Sequence, residues 1–466
     1  MTKRGSSNTE YLDQRALFFV AVAAVVVPSH GFAGVFDVYG FDARAMGLGQ
    51  AVTAAVDDYS ATYYNVAALT VPKQITFGIG LHVAFPQLYV DRRLPFCSDG
   101  AERCGGQFGQ LYSTIPTAKS ETFAGLNLGV ISPLGGWFQN RVAVGFGLHL
   151  PLHNLLRAEA LDPAKPQFYM YGSLPDTFAL VGGVAGEPVD WLSFGIGFQV
   201  LADMAGEVDL NIDTLSGTFE STELVVDVKP KANLTAGLLV RPVEGLAVGL
   251  SWRGDLDLVF SLPVVAKLGG LADIVLDIGG TVLYTPHQIT LGLSYRIPEP
   301  SLLLSADISY SMWSFAGDPS PSISVDLQGG LVEGLGVGTA LDVGKDTKSI
   351  QLGLTDTWSP RVGLEWEPLH WLKLRTGYQF RPTPAPVQSG PTNYLDNHAH
   401  GVGFGASFSF FDPFEAHRTP IEVHVGNSFL LLSPRKVDKS EAHDPVGDLV
   451  HGGFIYSASL TVIHRY

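Results

Sequence analysis

Along most of the chain, apolar residues return at every second position. In WLSFGIGF (191–198), Leu192, Phe194, Ile196 and Phe198 share one side, while Ser193, Gly195 and Gly197 take the other. A period of two predicts β-strands with two unlike faces. In 371–381, Leu372, Leu374, Thr376, Tyr378 and Phe380 oppose Lys373, Arg375, Gln379 and Arg381. In the strand before it, Val362, Leu364 and Trp366 oppose Arg361, Glu365 and Glu367. A soluble barrel packs its apolar face inside and shows charge outside. So many bulky residues could not stay on a solvent face, so the polar face is expected inside and the apolar face in lipid. An Arg or Lys turned to lipid near the midplane would cost about 2–4 kcal/mol, which sends Arg361, Lys373 and Arg375 inward.

Turn chemistry counts the strands. Six Pro-containing turns each precede an alternating run: SPLGGWFQNRVAVGFG (132–147), EPVDWLSFGIGF (187–198), RPVEGLAVGLSW (241–252), IPEPSLLLSADISY (297–310), EPLHWLKLRTGYQF (367–380) and DPFEAHRTPIEVHV (412–425). Six hairpins give twelve strands, and QITFGIGLHVAF (74–85) and GFIYSASLTVIHRY (453–466) add one at each end. Long connections, mostly polar or irregular, alternate with the short turns. The prediction is an all-β fold, a 14-stranded antiparallel transmembrane β-barrel, closed because an open edge in lipid leaves costly unpaired backbone groups. The final strand ends on the aromatic Tyr466, like the assembly signal of outer-membrane proteins.

Composition agrees. Of 466 residues, 46% are hydrophobic and only 16% charged, with 53 glycines. No uninterrupted apolar run after residue 33 is long enough for a spanning helix. Lys3, Arg4 and Arg15 precede the apolar run ALFFVAVAAVVV (16–27) and the small-residue stretch PSHGFA, which read as a signal peptide over 1–33. Residues 34–72, rich in Ala and Gly, do not alternate. They are expected to form an N-terminal segment with short helices near 50–56 and 59–69, sheltered in the lumen, before a barrel over 73–466. The net charge of −16 argues against a nucleic-acid partner and fits solvated acidic loops. Cys97 and Cys104, an even pair in an exported chain, suggest a small disulfide loop. No Ser-His-acid spacing stands out, and His398 and His400 share a face without a third ligand. Neither an enzyme, a cofactor nor a metal is therefore expected.

The run through Gly40, Ala45-Met46-Gly47, Asp57-Asp58 and Tyr64-Asn65-Val66-Ala67 resembles the N-terminal hatch of the FadL/TodX outer-membrane transport family. That family has Asn-Pro-Ala where this chain has Asn65-Val66-Ala67. TPHQITLGLSYRI with LLLSADISYSMWS (285–314), and DTWSPRVGLEWEPLHWLKLRTGYQFRPTPAP continuing to YLDNHAHGVGFGASF (356–408), extend the resemblance. It implies uptake of long-chain fatty acids or aromatic hydrocarbons by a monomer in outer-membrane lipid, inserted by the assembly machinery. Ligand would be captured by loops, pass to a pocket gated by the hatch (Asn65, Val66, Ala67), and leave sideways at the third strand (Gly145, Gly147, Pro151). LPVVAKLGGLADIVL (262–276) is too apolar for an ordinary loop and suggests a membrane-adjacent helix, either capturing ligand with Leu262, Val264, Val265, Leu268, Leu271 and Ile274 or packing on its own barrel rim. Lys373, Arg375 and Arg381 are candidates to anchor an acidic head group, with pairing to lumenal carboxylates the favoured alternative. The rival readings are a general porin and an outer-membrane enzyme.

Overall fold

The computed structural model of the chain describes residues 35–93, 122–152, 166–168, 170–171, 178–213, 218–268, 272–316, 322–328, 353–390, 392–411, 419–440 and 446–466. The signal-peptide stretch and the Cys97–Cys104 pair lie outside them. The strands in chain order are β1 (Thr76–Arg93), β2 (Phe123–Leu134), β3 (Val142–Pro151), β4 (Gln167–Phe168), β5 (Ala179–Val189), β6 (Leu192–Asp213) and β7 (Thr218–Val243). Next come β8 (Leu246–Arg253), β9 (Leu256–Leu268), β10 (Ala272–Thr285), β11 (Gln288–Ile297), β12 (Leu302–Ser311) and β13 (Ser322–Gln328). The remainder are β14 (Thr357–Leu369), β15 (Leu372–Arg381), β16 (Tyr394–Leu395), β17 (Ala399–Phe410), β18 (Ile421–Val437) and β19 (Asp448–Arg465).

Fourteen of these close an antiparallel ring, in the order β1, β2, β3, β5, β6, β7, β8, β11, β12, β14, β15, β17, β18, β19. The seam joins β1 to β19 over its whole length, from Thr76 opposite Arg465 to Arg93 opposite Asp448. The six short connections fall where the Pro turns predict them, all at the end of the ring where β1 starts. The face assignment holds as well. Phe194 and Ile196 are exposed on the outside, whereas Ser193, Arg361, Glu365 and Arg375 are buried inside. Trp137, Trp191 and Trp371 mark the short-turn end of the outer surface, and Tyr89 and Trp358 the opposite end. This matches the aromatic girdles of barrels that cross a bilayer.

Several strands run farther than their sequence periodicity suggests. β6 and β7 pair with each other from Leu192 opposite Val240 out to Asp213 opposite Thr218, well past the ring. The described residues of 262–276 are strand rather than helix: they belong to β9 and β10, which pair antiparallel with Leu262 opposite Ile278 and Val264 opposite Leu276. β9 also runs parallel to the outer part of β6, and β10 pairs with β13, so this region extends the sheet above the ring. Its run of β-branched residues (Val264, Val265, Ile274, Val275) favours extended backbone, and neighbouring edges supply the partners a helix would find within itself. Leu271 falls outside the described residues. Near the same end, β4 and β16 pair in parallel, tying two long connections together.

Candidate functional site

Three short helices and a 3₁₀ turn make up residues 35–70: α1 (Val35–Tyr39), α2 (Ala43–Gly47), α3 (Ala61–Tyr64) and Val66–Thr70. Residues expected to be helical at 50–56 instead turn, with backbone bonds from Ala55 and Val56 to Val52. Local chemistry sets the breaks. Asp42 caps α2 by accepting from the N–H groups of Ala45 (2.9 Å) and Arg44 (3.2 Å). Asn65 caps the 3₁₀ turn by accepting from Ala67 N–H at 3.1 Å. From Phe36 to Thr70 every residue but Ala55 and Asp57 is buried. A segment of this size buries so completely only because the ring surrounds it: α2 packs on β15, β17, β18 and β19, and the 3₁₀ turn on β3, β5, β6 and β7.

Glycine makes the fit. Twelve of the fourteen ring strands present a glycine to this segment, and a side chain there would collide with it. A Cβ on Gly237 would lie 2.2 Å from Asn65 Oδ1, one on Gly377 2.1 Å from the Leu48 carbonyl carbon, and one on Gly403 2.2 Å from Met46 O. Register carries the belt from strand to strand: Gly363 pairs with Gly377, Gly377 with Gly403, and Gly249 with Gly292. The two strands without such a glycine reach the segment by hydrogen bonds, from Thr53 N–H to Asp307 on β12 and from Ala43 N–H to Thr461 on β19.

Charge pins the segment at the same level. Arg44 donates to Glu365 (3.0 Å) and Asp57 (3.1 Å), and Glu365 also accepts from Arg375 Nε at 2.6 Å. Asp37 pairs with Arg253 at 3.1 Å and lies 3.8 Å from Arg361. Arg253 in turn donates to Tyr63 Oη at 2.7 Å and stacks over its ring at 3.9 Å. Glu365 is thus a partner of Arg375, whereas Arg361 turns to Asp37. The pairing of Arg361 and the roles of Asp37, Arg44 and Arg253 carried no local sequence signal, because their partners across the segment–wall boundary lie 190 or more residues away.

The predicted gate residues sit at the centre of these contacts. Asn65 is fully buried, and its Nδ2 donates to Thr53 O (2.9 Å) and Leu238 O (3.2 Å), bridging the segment to β7. Val66 packs against Gly183 and Gly197. On the proposed exit strand, β3 pairs with β5 without interruption from Val142 to His149, so Gly145 and Gly147 do not break the ladder. They instead make room for Leu69 and Thr62. Pro151 lies just past the last β3–β5 pair and still pairs with Gly125 on β2.

The three candidate anchors separate. Arg375 is locked between Glu365 and Ser407. Lys373 lies half-buried near the short-turn end. Arg381, at the long-loop end, donates from Nη2 to Asp396 (2.9 Å) and to the hydroxyl of Tyr171, while its buried Nε and Nη1 have no hydrogen-bond partner. Phe168, Tyr171, Tyr394 and Leu395 are buried at the same end. Toward β1–β3, Phe36, Phe41, Tyr63, Phe123 and His149 form a further aromatic cluster. His398 accepts from Thr383 N–H and His400 meets the Tyr378 hydroxyl at 2.8 Å, so the two histidines serve separate hydrogen bonds.

A closed fourteen-stranded antiparallel ring, apolar outside and filled inside by an N-terminal segment on a glycine belt, defines the class of protein: a β-barrel with an occupied lumen. In particular, the chain has the fold of the FadL/TodX hydrocarbon channels. The Pseudomonas putida toluene transporter TodX superposes with a TM-score of 0.55 at 15% identity, covering 92% of this chain and 98% of that one. A Pseudomonas aeruginosa FadL homologue gives 0.53 at 14% identity, covering 91% and 96%. In sequence, alkane uptake protein A of Marinobacter nauticus is 23% identical over 419 residues, covering 85% of this chain and 83% of that protein. No protein-family model matches.

Proposed function

We propose that this protein is an outer-membrane transporter that takes up hydrophobic molecules, with residues 34–72 acting as a hatch. The observation that carries the reading is the lumen filled by a segment that meets every strand of the ring. A general porin needs a water-filled bore, and an enzyme needs a nucleophile and base in reach of each other. Residues 36–70 occupy the first, and among the described residues no Ser-His-acid group supplies the second. The names of the similar proteins, an alkane uptake protein and a toluene transporter, agree in the class of cargo. Lipid meets the apolar outer face, and the barrel works as a monomer.

Cargo is captured above the ring, where β9–β10 carries Leu262, Val264, Val265, Leu268 and Ile274. It passes to the aromatic residues above the hatch and leaves sideways past the loop end of β3. Burying about fifteen methylenes is worth on the order of 12 kcal/mol before the costs of binding, so a static pocket would hold its ligand too long. A hatch that shifts locally around Asn65 lowers that affinity. Arg381 suits an anionic head group. Together with Arg435, which donates to the Asp396 backbone at 3.1 Å, it outnumbers the one carboxylate paired with it among the described residues.

The test is uptake of a labelled long-chain alkane, a long-chain fatty acid and a monoaromatic hydrocarbon in cells lacking the protein, with and without its return. Restored uptake of at least one is expected, and no change with any of the three would refute the transporter reading. Asn65→Ala, in a barrel shown to be folded, is expected to slow uptake. Wild-type rates in that variant would remove the hatch-gate role.

A further inference from the structure

Beside the ion pairs that hold the segment lies a group they do not use. Asp42 and Asp58 of the N-terminal segment and His424 of β18 are all buried, and each offers one ligand atom within 4.8 Å of the others. Ligand atoms bonded at about 2.1 Å around a tetrahedral ion stand about 3.4 Å apart, so side-chain rotations that bring the atoms closer by up to about 1.4 Å close the set.

Three features point to a cation. His424 Nε2 faces Glu422 Oε2 at 3.2 Å, while Nδ1 has no partner. A carboxylate accepting the Nε2–H leaves the lone pair on Nδ1, the arrangement by which outer carboxylates orient metal-binding imidazoles. Asp58 accepts from Ser60 N–H through Oδ1, and its buried Oδ2 is unpartnered. Finally, the neighbouring ion pairs match Asp57, Glu365 and Glu422 with Arg44, Arg375 and Arg465, and neither Asp42 nor Asp58 joins an ion pair among the described residues. Two adjacent carboxylates out of water without a cation are costly, and a divalent ion removes that cost.

We propose that Asp42, Asp58 and His424 form a binding site for a divalent transition-metal ion of the Zn²⁺ class. One nitrogen and two oxygens suit zinc better than calcium or magnesium, which take oxygen ligands alone. The ion ties the segment to the wall: both aspartates flank α2 and α3, and β18 supplies the histidine next to Gly426, whose backbone already touches Ala43. Binding is read on the isolated protein and stands or falls apart from transport.

The experiment titrates Zn²⁺ into the full-length mature barrel, purified in detergent and stripped with chelator, by calorimetry with metal analysis. About one equivalent is expected, with Mg²⁺ failing to compete. X-ray absorption at the zinc edge is expected to show a nitrogen and oxygen shell with one imidazole and no sulfur, which sets the site apart from Cys97 and Cys104. Asp58→Asn and His424→Gln, each checked for heat-modifiable migration, are expected to weaken binding roughly tenfold or more. If either variant fails to fold, the absorption spectrum of the wild type decides. No stoichiometric uptake by the folded wild type, sulfur or several imidazoles in the shell, or unchanged affinity in both folded variants would each overturn the site.

Discussion

Glu365 holds two guanidinium groups inside the barrel, Arg44 from the N-terminal segment and Arg375 from the next strand. All three side chains are almost completely shielded from water, so neither arginine can recover hydration if the carboxylate is lost. Glu365→Gln is therefore expected to destabilise the barrel by about 3–5 kcal/mol, the usual cost of stranding a buried charge. Denaturant unfolding in lipid vesicles measures it, and a loss below about 1 kcal/mol would show that water reaches the site. Arg381 makes the opposite case, since it retains buried donors without partners. Arg381→Gln is expected to raise the KM for a long-chain fatty acid while leaving alkane uptake unchanged. An equal effect on both cargoes would mean that Arg381 only supports the Asp396 loop.

At the scale of elements, the glycine belt controls how the segment seats on the wall. Gly237→Val puts two methyl groups where Asn65 and Ala67 now lie, on a strand whose backbone cannot retreat because both neighbours are paired to it. The segment is expected to lift there, so that single-channel conductance rises and protease cleaves within 36–70, while the ring still migrates as a folded barrel. Unchanged conductance would show that the segment adapts in place. A second element-level prediction concerns β3. With Cys97 and Cys104 changed to serine, cysteines at Leu148 and Leu180, which face each other across β3 and β5, form a staple. Oxidation is expected to reduce uptake and reductant to restore it, whereas full uptake with the staple closed would rule out an exit between these strands.

Strand number, turn positions and facing were legible in the sequence because period two and Pro turns are local signals. The β9–β10 hairpin was not. A continuous apolar run such as VVAKLGGLADIVL has no alternation to read, and only the edges offered by β6 and β13 decide its backbone. The site was partly legible: Gly195 and Gly197 fell on the polar face expected inside, and Asn65 stood out within its motif. Asp37, Arg44 and His424 did not, since their meaning comes from partners that only ring closure brings near.

For the whole molecule, the outer face and the interior make independent demands. The outside is apolar, where Phe194, Ile196 and Leu234 stand exposed as lipid would require, and the segment fixes the inside. Deleting residues 34–72 leaves the outer face untouched. The shortened chain is expected to insert as a barrel yet pass small ions freely, with conductance in planar bilayers several times that of the intact chain. A deletion that conducts no better would mean that the upper loops, rather than the segment, close the pore.

The belt of glycines has one more consequence, for the order in which the barrel is made. Backbone lies on backbone at Gly195, Gly249, Gly363, Gly377, Gly403 and Gly426, while on β1, β2, β3 and β5 the Tyr59, Thr62, Leu69 and Val66 side chains fill the space the glycines leave. The segment therefore has to be present before β1 meets β19. In the intact chain the segment is then expected to serve as a mandrel for the closing sheet, while the shortened chain closes on the pattern of its strands alone.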